Sequence, residues 1–271
     1  MGFKRKNRYT IDDLLDIMQL LRSPDGCPWD RKQTHHSIRK NFIEETYEAV
    51  EAIDNGDTEL LKEELGDVLL QVVFHTQMER EQDRFDFDDV CDAVCKKLVL
   101  RHPHIFSDTV ADTPEQVLKN WEDIKKEEKH QTTATQTLES VPRVLPALMR
   151  SEKVQSRAAK CGFDYPDAQW AMRDLRGEVE ELVEAIDACD ADAVEEELGD
   201  LLFSVVNVAR FQKVDAEHSL AKACDKFTRR FAVVEQLASE RGVSLDNAEI
   251  DLLNGLWQEA KIKKQKNFGG I

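Results

Sequence analysis

Residues 48–54 read EAVEAID and residues 181–187 read ELVEAID. At the same offset of 133 residues, 63–70 reads EELGDVLL and 196–203 reads EELGDLLF. An ungapped match of this length is more than shared acidity produces, and it marks an internal duplication. What each copy spells then decides the fold class. Ile43, Tyr47, Val50 and Ile53 recur at helical spacing, as do Leu61, Leu65, Val68, Leu69 and Val72. Asn55-Gly56 reads as a turn between two helices, and Asp57 as the cap of the second. Further helices are expected at about 10–22, 86–101 and 113–129, and in the second copy at about 146–160, 170–188, 191–212, 215–241 and 248–266.

The expectation is an all-α protein of two tandem homologous helical domains, residues 1–130 and 143–271. The linker is placed at 131–142, in a Thr- and Gln-rich stretch without apolar periodicity that runs into Pro142 and Pro146. Gly66 and Gly199 fall inside helices, where glycine costs about 1 kcal/mol relative to alanine. Their presence in both copies predicts a close helix approach beside the acidic residues.

Those acids are the candidate site. Glu44, Glu45 and Glu48 form EExxE on one helix, and Glu64 and Asp67 form ExxD on the next. Side chains three or four residues apart share a helix face, and a short turn makes the helices antiparallel neighbours. Glu45, Glu48, Glu64 and Asp67 can therefore converge. Glu178, Glu181, Glu197 and Asp200 hold the matching places in the second copy. Carboxylates gathered in this way must take up protons or bind a cation. An oxygen-only set favours Mg²⁺, with Mn²⁺ as a substitute, over zinc.

Cations follow in both halves. Lys97 and Arg101 are four apart, as are Lys226 and Arg230; Trp121 and Lys125 then match Trp257 and Lys261. A carboxylate–metal centre beside Lys and Arg suits a polyphosphate, whose oxygens can be shared between metal and cations. The tryptophans read either as base-stacking groups or as core. The histidines at 35–36 and around Pro103 read as caps, turns and surface.

Composition excludes other classes. Lys and Arg total 37 against 54 Asp and Glu, a net charge of −17 over 271 residues. That argues against nucleic acid or a membrane surface as partner. The apolar runs at 68–74 and 201–206 are too short to cross a bilayer, but they exceed what one buried face needs, and they predict a homodimer interface. Six cysteines without a CxxC pair read as reduced thiols of a cytoplasmic protein. There is no P-loop, GxGxxG or kinase motif set.

At these motifs the chain resembles the MazG family of nucleoside triphosphate pyrophosphohydrolases, in its tandem two-domain form. The resemblance spans nearly the full length, including CPWD at 27–30, EExxE, ExxD, RHPHIF at 101–106 and VPRVLPALMRSEKVQSRAAKCGFD at 141–164. It implies that each domain pairs with its counterpart in a second subunit to complete a four-helix core. It implies Mg²⁺-dependent hydrolysis of nucleoside triphosphates to monophosphate and pyrophosphate. Glu45, Glu48, Glu64 and Asp67 would hold metal in one site, and Glu178, Glu181, Glu197 and Asp200 in the other. Lys226, Arg230, Trp257 and Lys261 would contact substrate, with Lys97, Arg101, Trp121 and Lys125 as counterparts. Catalytic roles fall on Glu44, Glu45, Glu48, Glu178 and Glu181.

One departure stands out. The first Glu of EExxE is Glu44 in one copy and Gly177 in the other, which leaves open which half works. Two rival readings are a narrower house-cleaning enzyme for a few deoxynucleotides and a non-catalytic helical interaction module.

Overall fold

Helix signals written into the sequence account for nearly every element. In the computed structural model, which describes residues 4–107, 109–128 and 131–267, the first half holds seven helices among the described residues. They are α1 (Ile11–Arg22), α2 (Pro28–Lys32), α3 (Arg39–Asn55), α4 (Thr58–Arg80), α5 (Phe87–Arg101), α6 (Pro103–Phe106) and α7 (Pro114–Glu128). The second half holds α8 (Ala134–Glu139), α9 (Ala147–Lys160), α10 (Ala168–Asp187), α11 (Ala191–Phe211) and α12 (Ala216–Glu240), then a single 3-10 turn at Leu245–Asn247 and α13 (Ile250–Asn267). No strand occurs among the described residues.

The chain divides into two compact units, Met1–Lys125 and Lys126–Ile271. The expected boundary at 130 lies outside the described residues, as do the terminal bounds at 1 and 271. Part of the expected linker is helical. Thr133 caps α8 by accepting from the Gln136 N–H at 3.2 Å, and Arg157 on α9 donates to the Thr137 carbonyl and to Ser140 Oγ at 2.6 Å. Apolar periodicity does not reveal α8, because a six-residue helix is too short to show it.

The duplicated turn is built by different residues in the two units. Gly56 ends α3 at φ 66°, and Asp57 then accepts from the Leu60 N–H at 3.0 Å to start α4. This left-handed step suits glycine, which has no Cβ to clash. Between α10 and α11 the same place is taken by Cys189 at φ 55°, followed by Asp190 as the cap. A side chain in that conformation costs about 1 kcal/mol or more. Cys189→Gly is therefore expected to stabilise the second unit by about 0.5–1 kcal/mol, read from urea denaturation.

Each unit buries its own apolar cluster. In the first, Met18, Ile38, Val73, Phe74 and Met78 pack together; in the second, Val234, Leu237, Ala238, Leu256 and Ala260 do so. The apolar stripe of α3 is not covered within its own unit. Ile43, Tyr47, Val50 and Ile53 are 48%, 51%, 45% and 60% exposed. Leu65, Leu69, Leu198, Leu202 and Val205 are likewise exposed on α4 and α11. Nor do Gly66 and Gly199 mark a close helix approach, because a Cβ added at either would meet nothing within 4 Å.

Candidate active site

Helix pairing places the acids. In the first unit α3 lies against α4, so Glu45 and Glu48 face Glu64 and Asp67 across the pair. One carboxylate oxygen from each of Glu45, Glu48 and Glu64 comes within 4.8 Å of the others. Glu64 is buried, Glu45 half-buried and Glu48 exposed, so the group opens toward solvent on one side. In the second unit α10 pairs with α11, and Glu178, Glu197 and Asp200 meet by the same measure. Asp67 and Glu181 complete each quartet electrostatically, Asp67 acting on Glu45 and Glu64, and Glu181 acting on Glu178 and Glu197.

Desolvation, then the neighbouring carboxylates, holds Glu45, Glu64, Glu178 and Glu197 above their ordinary protonation range. Glu45 also shares a hydrogen bond with Glu48. A raised carboxylate favours folding below its ordinary range and loses that contribution as pH rises through its folded value. The metal-free chain is thus expected to lose stability from these four groups on going to about pH 8, and a bound divalent cation offsets the loss. Thermal unfolding with and without saturating Mg²⁺ should show a larger gain in Tm at about pH 8 than near the ordinary glutamate value of 4.5, where protons compete for the same oxygens. Asp13, Glu79, Glu81 and Asp164 act in the opposite direction. Each is lowered first by a hydrogen-bonded Lys or Arg, so their contribution is lost only as pH falls below the ordinary carboxylate range.

The remaining expected site residues are not all gathered. Glu44 pairs with Lys40 at 2.9 Å and stays outside the converging set. No cation is among the groups that shift the four raised glutamates. Lys97 and Arg101 sit on α5, and Lys226 and Arg230 on α12. Lys125 lies over the Trp121 ring at 5.9 Å. Trp257 packs on the α12–α13 cluster beside Phe227, with ring centroids 5.0 Å apart, which makes it core in part. Lys261 is half-buried on α13. His35 stacks on His75 and pairs with Glu79 at 2.5 Å, so it serves packing in the first unit.

The second quartet borders a cavity of about 620 Å³, lined among others by Glu178, Asp200, Asp174, Tyr165, Phe163 and Gln155. Asp174 is a fifth acid there, and it raises Glu178. It accepts from Ser204 Oγ at 2.7 Å and is hydrogen-bonded to Tyr165. Burial, then that hydrogen bond, pushes the Tyr165 phenol up to about 12. Asp164 and Arg210 form a bidentate pair in the same lining. The repeat gives no warning of this group, because the offset of 133 places Asn41 opposite Asp174. The available signal was position, since Asp174 lies one helical turn before Glu178 on the same face.

Two oxygen-rich clusters on paired helices, repeated in one chain, match a known domain. The MazG nucleotide pyrophosphohydrolase domain matches residues 33–106 and 168–234, which include both quartets. The chain belongs to this family. It is 45% identical over 254 residues to the nucleoside triphosphate pyrophosphohydrolase of Escherichia coli K12, covering 93% of this chain and 97% of the relative. It is also 45% identical over 251 residues to the nucleoside triphosphate pyrophosphohydrolase/pyrophosphatase MazG of Thermotoga maritima, covering 93% and 95%. A Mycolicibacterium smegmatis nucleoside triphosphate pyrophosphohydrolase is 38% identical over 56% of this chain and 46% of its own length. Within the MazG segments lie Lys97, Arg101, Lys226 and Arg230, whereas Trp121, Lys125, Trp257 and Lys261 fall outside them.

Proposed function

We propose that this chain hydrolyses nucleoside triphosphates between the α and β phosphates, giving the monophosphate and pyrophosphate, with Mg²⁺ as cofactor. The carrying observation is the convergence of Glu45, Glu48 and Glu64, and again of Glu178, Glu197 and Asp200, with their oxygens within 4.8 Å. Oxygen donors at that spacing, with Glu45, Glu64, Glu178 and Glu197 raised by burial and then by their neighbours, fit a hard divalent cation. Glu45, Glu48, Glu64 and Asp67 would hold the ion in one site, and Glu178, Glu181, Glu197 and Asp200 in the other. Bound there, Mg²⁺ supplies charge neutralisation at the phosphate oxygens and makes water more acidic.

The chain's own residues supply the rest. A carboxylate not occupied by the ion accepts the proton of the attacking water, whose oxygen bonds to the α phosphorus as the bond to the bridging oxygen breaks. Pyrophosphate leaves with that electron pair. Lys226, Arg230 and Lys261, with Lys97, Arg101 and Lys125, are the candidates for the β and γ phosphates, where charge builds. No nucleophilic side chain is required. Hydrolysis of ATP in ¹⁸O-labelled water is expected to place the label in AMP. Label in pyrophosphate, or release of orthophosphate and ADP, contradicts this bond choice.

The exposed apolar faces of α3–α4 and α10–α11 support a homodimer, in which a second subunit covers them and completes a four-helix core around each quartet. Light scattering should give twice the chain mass. The six cysteines are all unpaired, which suits a reducing, cytoplasmic compartment. No helix among the described residues is long and apolar enough to cross a membrane. A broad substrate range is the primary reading, and initial rates across a nucleotide panel separate it from a deoxynucleotide-selective house-cleaning enzyme. A non-catalytic module would leave the repeated acid geometry without a purpose.

A further inference from the structure

Away from the acid quartets, one cluster of titratable side chains serves no step of the proposed reaction. His35 lies in the turn between α2 and α3, and His75 lies on α4; their Nδ1 atoms stand 2.7 Å apart. On its other edge His35 Nε2 meets Glu79 Oε1 at 2.5 Å. Glu79 in turn accepts from Arg84 Nε and Nη2, at 2.5 and 2.8 Å. Both imidazoles are half-buried, and α3 presents the Phe42 ring to His75 at a centroid distance of 5.7 Å. The turn before α3 is thus tied to the far end of α4.

The short contact limits the charge the pair can carry. A neutral imidazole has one N–H and one bare nitrogen, whereas an imidazolium has two N–H groups. Two ring nitrogens at 2.7 Å hold one proton between them, donated by one ring and accepted by the other. A neutral pair meets that condition, and so does a pair with a single charge. A doubly charged pair sets N–H against N–H and brings two cations together, so the contact must open. Glu79 does not relieve the conflict. Its hydrogen bonds from Arg84 first hold it below the ordinary carboxylate range, so it stays ionised in mild acid, but Arg84 already balances its charge. Burial first, then the charge of His35, holds His75 below the ordinary histidine value of 6.5, against a smaller pull from Glu79. Arg22 of α1 is engaged elsewhere, by Glu81 and by the carbonyls of Asp30 and Gln33.

We propose that His35 and His75 form a pH-sensitive latch, which holds residues 34–38 against α4 while the rings share one proton and releases that turn when both are charged. Ile38, 3% exposed in the core of the first unit, ends the turn, and α3, which carries Glu45 and Glu48, starts at the next residue. Release therefore loosens the entry to α3. The neutral ring is the form of His75 that the folded pair keeps, so the latch is closed above about pH 6.5 and weakens as pH falls below that value. The second unit lacks the device, because the offset of 133 places Ala168, Val208 and Gln212 opposite His35, His75 and Glu79. The latch does not depend on the pyrophosphohydrolase reading.

Hydrogen–deuterium exchange of the full chain, without metal or nucleotide, tests this when labelling times are scaled for the intrinsic pH dependence of exchange. Protection of residues 34–42, relative to 167–175 in the second unit, is expected to fall about tenfold per pH unit between about pH 6.5 and 5, the slope of one linked proton. His75→Gln has no charge to gain and should abolish that dependence. Ring ¹³C NMR of the unmutated chain gives a reading that needs no variant. The two histidines should titrate in coupled steps, the second below 6.5 and together with the loss of protection. Protection that does not change with pH, a change that persists in His75→Gln, or two independent steps near 6.5 overturns the proposal.

Discussion

Replacing Glu64 and Glu197 together by glutamine is expected to reduce pyrophosphate release about 10³-fold while raising the melting temperature of the metal-free chain at neutral pH. Both effects have one cause. Each glutamate sits on the second helix of its pair, where burial first and then the neighbouring carboxylates raise its protonation range. At neutral pH the ionised form repels Glu48 and Asp67 in one unit, and Glu181 and Asp200 in the other. Glutamine keeps the shape and removes the charge, so the repulsion ends and the fold gains. The same change removes a ligand oxygen of full negative charge, and cation affinity falls. At a pH low enough to protonate the glutamates, the stability difference should vanish, because the neutral acid and the amide are then alike. A parallel loss of activity and stability would mean that these residues serve packing, and it would remove the basis for a cation site.

Restoring the missing glutamate of the second EExxE is expected to raise the activity of that half at least about tenfold. Gly177 occupies the place of Glu44, and a Cβ there would meet only Glu181 Oε1, at 3.9 Å. Gly177→Glu thus has room, and it also replaces a helix-interior glycine, worth about 0.5–1 kcal/mol of helix stability. The measurement needs a background in which the first half is disabled by Glu64→Gln, so that turnover reports the second alone. The converse change, Glu44→Gln with the second half disabled by Glu197→Gln, should lower the rate. Glu44 pairs with Lys40 in the free chain, so its participation requires that pair to open when substrate binds. If neither substitution moves the rate, the first Glu has no share in proton transfer, and Asp174, which acts on Glu178 and has no acidic counterpart in the first unit, is the next charge to substitute.

The helices and the acid quartets were legible because both are local. Caps such as Asp57 and Asp190 and the i, i+3 spacing of the carboxylates depend on neighbours along one or two helices, and the duplication doubles each signal. What was hidden arises from groups far apart in sequence. Gln155 meets Phe203 across 48 residues, and Asp174 meets Ser204 across 30, at positions the repeat does not share. The stripe at Ile43, Tyr47, Val50 and Ile53 was correctly read as apolar, but periodicity cannot say whether a face is covered by its own chain or by another. The cations were legible as residue types at helical spacing; their relation to the carboxylates depends on helix placement, which spacing does not encode.

In the proposed site, carboxylates from paired helices surround a divalent ion that also grips a triphosphate. Electron paramagnetic resonance of Mn²⁺ bound to the full chain with α,β-methylene-ATP tests it directly. A protein-bound signal with phosphorus hyperfine coupling from the nucleotide is expected, lost when Glu64 and Glu197 are both replaced by Gln. A spectrum of hydrated Mn²⁺ unchanged by the protein, or a bound ion unaffected by those two substitutions, would contradict it.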